Sequence, residues 1–308
     1  MTGQLGDGTF ATNSPFGTNR PELIVPGGVT AVAAGNNHSL FLESDGSLWV
    51  MGQNNNGQLG DGTFNNTNLP EEIVSNGVTA IAAGNNHSLF LKSDGSLWGM
   101  GYNLQGGLGD GTYVKTNRPE QIVPTGVTAI AAGFEHSLFI KAGGSLWGMG
   151  ANSTGQLGDG SFLKTNRPVQ IVSNGVTAIA GGGLHSLFVK SDGSLWGMGN
   201  NYYGQLGDGF VDNNLLGGND TPEQIVPAPR PVLTTSLVSG INLQFTATCL
   251  FGGTFYLLAG TDFTAPFSQW TRIWTNSVTA RGTNNFSVTI SNALGSGVAQ
   301  FYILQSPR

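Results

Sequence analysis

The chain repeats itself every 49 residues. The stretch "GNNHSLFLKSDGSLWGMG" at residues 84–101 has close copies, placing histidine at His38, His87, His136 and His185 and tryptophan at Trp49, Trp98, Trp147 and Trp196. A fixed period of this length excludes most folds, because each unit must be one small supersecondary module that buries its apolar faces against its neighbours. Each period holds four apolar segments: "GVTAIAAG" (77–84), "HSLFLKS" (87–93), "SLWGMG" (96–101) and "PEQIV" (119–123). Turn chemistry separates them, with "SDG" between the second and third and "PTG" or "SNG" before the next unit. A longer loop carrying "GQLGDGT" joins the third to the fourth. The segments are short and rich in β-branched and aromatic residues, which predicts strands.

Four short antiparallel strands per unit is the pattern of a propeller blade; a parallel β-helix uses a shorter period. Ala80, Ala82, Ala83 and Gly84 in the first segment suit strands crowded around an axis, whereas Phe90 and Trp98 suit the wider gap further out. The expected fold is therefore all-β, a propeller over 1–226 with blades at about 29–74, 78–123, 127–172 and 176–226. "PELIV" at 21–25 is then a leftover outer strand whose own blade is absent. "GQLGDG" at 3–8 is itself a repeat element, so the chain starts inside a repeat. Missing upstream repeats, and four blades in an open arc with exposed sheet faces, are the expectation.

Charged residues make up 10% of the 308, far below the usual quarter, and Gly, Asn, Thr and Ser fill the difference. That mixture suits strands joined by tight turns. A net charge of -6 provides no basic footprint for nucleic acid. The longest apolar runs, such as "YLLA" at 256–259, are too short to span a bilayer as a helix. The single Cys249 excludes an internal disulfide or a cysteine metal cluster, and its alternating segment predicts a buried, inert thiol. No basic segment followed by an apolar run opens the chain, so no signal peptide is visible.

A histidine, a serine and an aspartate lie close together in every unit, but catalysis needs such a set once, in one geometry. Here the set recurs, and the third copy has Gly143 in place of the aspartate. The expectation is structural: each histidine hydrogen-bonds neighbouring strands and each aspartate serves a turn, with no catalytic residue, no metal and no cofactor. The Asp-Gly pairs lack the pattern of a calcium loop. The arginines of "TNRP" (Arg20, Arg118, Arg167) have Leu69 and Thr221 as counterparts, which predicts a solvated rim.

With these residues in place, "GVTAIAAGNNHSLFLKSDGSLWGMGYNLQGGLGDG" resembles the regulator of chromosome condensation repeat family over residues 1 to about 226. The family pattern runs A-A-G-x-x-H-S/T-x-x-L, then D-G-x-x-W/Y-x-W-G, then G-Q-L-G-x-G. One departure is consistent: Met51, Met100, Met149 and Met198 stand where the family has tryptophan. The resemblance implies a seven-bladed propeller that works by binding proteins. Members include the nucleotide exchange factor of a small nuclear GTPase and a secreted bacterial β-lactamase inhibitor. Exchange activity needs an inserted wedge, for which the only candidates are the longer loops at 9–20 and 210–221.

Two segments vary from copy to copy. The pair before each histidine runs Asn36-Asn37, Asn85-Asn86, Phe134-Glu135, Gly183-Leu184, and the quartet before each "GQLGDG" runs "QNNN", "YNLQ", "ANST", "NNYY". In an antiparallel meander both loops emerge at one end of the sheet. Four of the six tyrosines, Tyr102, Tyr113, Tyr202 and Tyr203, lie in the loops of that end, and tyrosine is an interface residue. Tyr102, Leu104, Phe134, Glu135, Tyr202 and Tyr203 are the candidate partner-binding residues, with drift in unconstrained loops as the competing explanation.

"PAPRP" at 227–231 reads as a stiff linker, and the period ends there. Beyond it, "INLQFTATCL" alternates Leu243, Phe245, Ala247 and Cys249 with Gln244, Thr246 and Thr248. Residues 232–308 are expected to form a small β-sandwich resembling immunoglobulin or fibronectin modules. The functional expectation is a non-enzymatic interaction protein that binds a protein partner through one loop face, bacterial, and extracellular or at the cell surface in full-length form. The alternatives are guanine-nucleotide exchange on a small GTPase and inhibition of a secreted enzyme; no carboxylate pair is singled out for glycan hydrolysis.

Overall fold

A computed structural model describes residues 3–9, 20–209, 211 and 217–225, and beyond them the backbone of six strands between 232 and 305. Strands β1 (Val29–Ala34), β2 (His38–Glu43), β3 (Leu48–Gly52) and β4 (Thr67–Val74) form one antiparallel sheet in chain order, here blade 1. Blade 2 holds β5 (Val78–Ala83), β6 (His87–Lys92), β7 (Leu97–Gly101) and β8 (Thr116–Val123). Blade 3 holds β9 (Val127–Ala132), β10 (His136–Lys141), β11 (Ser145–Gly150) and β12 (Thr165–Val172). Blade 4 holds β13 (Val176–Gly181), β14 (His185–Lys190), β15 (Leu195–Asn200) and β16 (Gly218–Ile225). The expected all-β architecture of four-stranded propeller blades is the observed one.

Local chemistry explains the hairpins. In the second–third turn, the Asp94 carboxylate accepts the Ser96 amide at 2.8 Å and Gly95 takes a φ of 77°. Ser96 Oγ then accepts the Trp98 indole N–H at 2.8 Å. In the third copy, glycine pairs at 143 and 144 take φ of 91° and 78°, so backbone freedom replaces the aspartate bond. Each inner strand carries a bulge at the threonine of "GVTA", and the Thr79 hydroxyl donates to the Leu91 carbonyl at 3.2 Å.

In blades 2 and 3 the second and third strands are apolar on both faces because each sheet lies between two others. Phe90 and Trp98 face each other across β6 and β7 with centroids 6.1 Å apart and planes nearly parallel, a pairing repeated in all four blades. Phe90, Phe139 and Phe188 are buried. Three apolar clusters follow, one at each junction of successive blades. At the first, Leu40, Leu42, Leu48 and Val50 of blade 1 meet Val78, Phe90 and Met100 of blade 2. The innermost strands β1, β5, β9 and β13 contact one another in series, and their Ala-Gly or Gly-Gly ends line a shallow mouth of about 320 Å³.

Pro21–Val25 is not an outer strand. It runs as irregular chain and bends, because an outer strand exists only by pairing with a third strand of its own blade, and none lies before it among the described residues. Residues 3–9 instead dock on blade 1 as each "GQLGDG" loop docks on the blade that follows it. The Ser39 hydroxyl donates to the Gln4 carbonyl at 2.8 Å, as Ser88 does to Gln58 at 2.7 Å.

The C-terminal part forms a separate compact unit. It contains β17 (Val232–Ser239), β18 (Asn242–Cys249), β19 (Gly253–Gly260), β20 (Thr271–Val278), β21 (Asn284–Ile290) and β22 (Phe301–Gln305). These make two three-stranded antiparallel sheets, ordered β17-β18-β21 and β20-β19-β22. The linker at 227–231 and the side chain of Cys249 lie outside the described residues.

Candidate functional site

The repeated histidines join blades. His38 Nε2 lies 3.0 Å from Ser88 Oγ, His87 Nε2 3.0 Å from Ser137 Oγ, and His136 Nε2 2.9 Å from Ser186 Oγ. Each of these serines donates its one hydrogen to the carbonyl of Gln58, Gly107 or Gln156, so each histidine must donate from Nε2. The bond therefore reaches the next blade, beyond the neighbouring strands named from sequence. Burial pushes His38 and His87 down to about 4 and His136 to about 3, so all three are neutral. The glycine three residues earlier is required by space: a Cβ on Gly84 would collide with the His87 ring and lie 2.6 Å from the Gly133 carbonyl. Buried neutral imidazoles in series act as fasteners, because each serine beside them commits its hydrogen to a backbone carbonyl.

The loop after the third strand is anchored by a residue that sequence comparison passed over. Asn103 is fully buried; its Nδ2 donates to Asp110 Oδ1 at 3.0 Å, and its Oδ1 accepts the Leu108 amide at 3.0 Å. Asn54 and Asn152 make the same pair of bonds, and Asn201 accepts from Leu206. The second place of every variable quartet is asparagine, a signal hidden by its varied neighbours.

On this anchored base the two variable segments meet. Tyr102 N–H donates to the Asn86 carbonyl at 2.8 Å, and Ala151 and Asn200 repeat the bond to Glu135 and Leu184. Each quartet also approaches the next blade's pair: the Thr154 hydroxyl donates to the Leu184 carbonyl at 3.0 Å. Tyr102 of blade 2 and Glu135 of blade 3 are brought together with a side-chain hydrogen bond, and burial raises both their pKa values. Lys164 acts electrostatically on Glu135, donates to the Leu104 carbonyl at 3.0 Å and lies 4.8 Å over the Tyr113 ring. Tyr102, Leu104, Glu135, Lys164 and Tyr113 thus form one patch. Tyr202 and Tyr203 form another on blade 4, edge to face at 4.8 Å.

Several members expose apolar area with nothing packed on it: Leu104 is 52%, Phe134 46% and Tyr203 80% exposed. Sequence reading missed Phe64 and Leu163, which are likewise exposed in the loops after the Asp-Gly turn. Their signal was an apolar residue recurring in that loop. Two of the TNRP arginines pack on the preceding loop, the Arg118 guanidinium against Gly62 and that of Arg167 against Gly111. Among the described residues no group of His, Cys, Asp and Glu is placed to hold a metal ion, and no helix is long and apolar enough to cross a membrane. The longer loops at 9–20 and 210–221 lie largely outside the described residues.

The RCC1-like domain family matches residues 1–256. Among solved structures, human WBSCR16 is similar over 72% of this chain and 59% of its own, with 24% identity and a TM-score of 0.55. Yeast RCC1 (Prp20), solved with Kap60, is similar over 71% of this chain and 56% of its own, with 22% identity and a TM-score of 0.57. The chain therefore spans less than two thirds of either protein, and at these identities the likeness is one of fold. No curated protein sequence matches the chain.

Proposed function

The chain belongs to the RCC1-like domain family, and on that premise we propose that it is a non-enzymatic scaffold that docks a partner protein on the loop face of its blades. The observation that carries this reading is the Tyr102–Leu104–Phe134–Glu135 patch. Two blades supply it: buried Asn103 holds the loop of Tyr102 and Leu104, backbone bonds from Ala151 to Glu135 and from Phe134 to Gly182 hold the other turn, and aromatic and aliphatic area stays uncovered. A rigid patch with exposed aromatics loses little side-chain entropy on binding, which is the profile of an interface hot spot.

The test is capture with the full chain as bait, beside a variant carrying Leu104→Ala, Phe134→Ala and Tyr203→Ala. The expected result is a partner held by the parent and lost by at least about tenfold in affinity by the variant, which retains the parent's melting temperature. Equal capture by both overturns the proposal. The second reading is nucleotide exchange on a small GTPase, which the family resemblance implies. An exchange assay with the captured partner separates them, and inhibition of a captured secreted enzyme is read in the same experiment. Export from a bacterial cell, and the pairing of the two C-terminal sheets as one immunoglobulin-like sandwich that acts as a spacer, belong to the same proposal. Recovery from culture supernatant and side-chain contacts between the sheets test them.

A further inference from the structure

The sequence contains three Asn-Gly pairs, at Asn56, Asn76 and Asn174. In such a pair the asparagine side chain is open to attack by the next backbone nitrogen, because glycine brings no side chain to crowd the approach. The fold places the three differently. Asn76 and Asn174 lie in the "SNG" turns that lead from the outer strand of one blade to the inner strand of the next, β4 to β5 and β12 to β13. Both side chains are exposed, and the bond each makes from Nδ2 to the preceding serine hydroxyl is long, 3.4 Å at Ser75 and 3.3 Å at Ser173. The Gly77 and Gly175 amides donate no hydrogen bond among the described residues, although their carbonyls accept from Ser93 and Ser191 at 2.9 and 2.8 Å. The hairpin glycine of the preceding blade lies beside each nitrogen and covers it with no side chain: a Cβ on Gly46 or Gly144 would lie 2.8 Å away.

Asn56 is held otherwise. Gly57 is buried, its amide donates to the Asn54 carbonyl at 2.8 Å, and the Asn56 amide is tied to Gln58 Oε1 at 2.9 Å. A Gly57 nitrogen committed in this way can neither turn toward the Asn56 side chain nor give up its proton unless the loop opens. The Asp-Gly pairs of the hairpins are guarded alike, since the Gly46, Gly95 and Gly193 amides donate to Glu43, Lys92 and Lys190 at 2.9 to 3.0 Å. The remaining turn between blades shows that the fold does not need the asparagine. Thr125-Gly126 keeps the same shape, with Gly126 at a φ of 84° beside 78° at Gly77 and 79° at Gly175, and the Gly126 carbonyl accepts from Ala142 at 2.8 Å.

We propose that Asn76 and Asn174 are modification sites, converting without an enzyme to aspartate and isoaspartate, while the fold spares Asn56. The Gly77 or Gly175 nitrogen forms a bond to the asparagine Cγ; the Cγ–Nδ2 bond then breaks, and ammonia leaves with the hydrogen of the glycine amide. Water opens the resulting succinimide at either carbonyl. One opening gives aspartate. The other gives isoaspartate, which routes the backbone through Cβ and Cγ and so adds one atom to the turn between blades. Each event adds one negative charge, so reaction at both sites takes the formal charge from -6 to -8. The new charges stand away from the Tyr102–Glu135 patch, because turns after the fourth strand leave an antiparallel sheet at the end opposite to loops after the first and third.

Incubating the full 308-residue chain in warm, neutral buffer and mapping its peptides by mass spectrometry tests this. The expected result is conversion at Asn76 and Asn174 about tenfold or more faster than at Asn56, where reaction waits on opening of the loop. In urea the three sites should convert at similar rates, which assigns the difference to the fold. An isoaspartyl carboxyl methyltransferase should label the aged chain. The double variant Asn76→Thr, Asn174→Thr, which copies the Thr125 turn, should lose most of that label, and the parent's peptide map decides even where the variant is less stable. Conversion of Asn56 as fast as the other two in the folded chain, conversion at one turn without the other, or at neither while the urea sample reacts, overturns the proposal. So does a label undiminished in the double variant.

Discussion

A buried histidine that hydrogen-bonds as a neutral donor ties the stability of this chain to pH. Burial lowers His38 and His87 from the ordinary 6.5 to about 4, and His136 to about 3. Between those values and 6.5 the unfolded chain binds protons that the folded chain refuses. Stability is therefore complete above pH 6.5 and falls as the pH drops toward 4, at about 1 kcal/mol per histidine per pH unit. Denaturant midpoints from pH 7.5 to 4 should show this slope, and His136→Asn should flatten it by roughly a quarter to a third, since it removes one of four histidines whose pKa burial lowers, His185 being the least buried. A flat profile would mean that the imidazoles are charged or wet in the fold. The repetition of histidine was legible in the sequence; its target was not, because Ser88 lies a full period away and periodicity alone does not show which blade a side chain reaches.

The loop joining third and fourth strands owes its shape to one asparagine in each copy. Truncating Asn103 leaves the Leu108 amide without its partner inside a closed loop and removes one of the donors to Asp110 Oδ1, which keeps those of Thr112. Asn103→Ala is expected to cost about 1–3 kcal/mol by chemical denaturation, with faster hydrogen exchange at the Leu108 amide. Normal protection there would show that the turn stands without its anchor. Strand number, order and hairpin turns could be read from apolar segments and from "SDG", since both are local signals. The anchor was harder, because Asn54, Asn103, Asn152 and Asn201 sit among residues that change freely. Pro21–Val25 misled for a related reason: it carries the composition of an outer strand, but pairing depends on a neighbour that composition does not reveal. At the candidate face, Tyr102 and Glu135 were legible as variable positions, whereas their mutual hydrogen bond and the reach of Lys164 depend on how successive blades are stacked.

Stacked modules share stability through their junctions, so the same substitution should have different costs along the series. Leu40, Leu89 and Leu138 are each closed over by the following blade, whereas their counterpart Leu187 faces outward. Alanine at Leu89 or Leu138 removes a fully enclosed side chain and leaves a cavity, which costs about 2–5 kcal/mol. Alanine at Leu187 removes area that is already partly wet, at roughly 1 kcal/mol or less in a dilute solution of single chains. Chemical denaturation of the three variants at low concentration measures this gradient directly. Equal costs would mean that blade 4 is covered as fully as the blades before it.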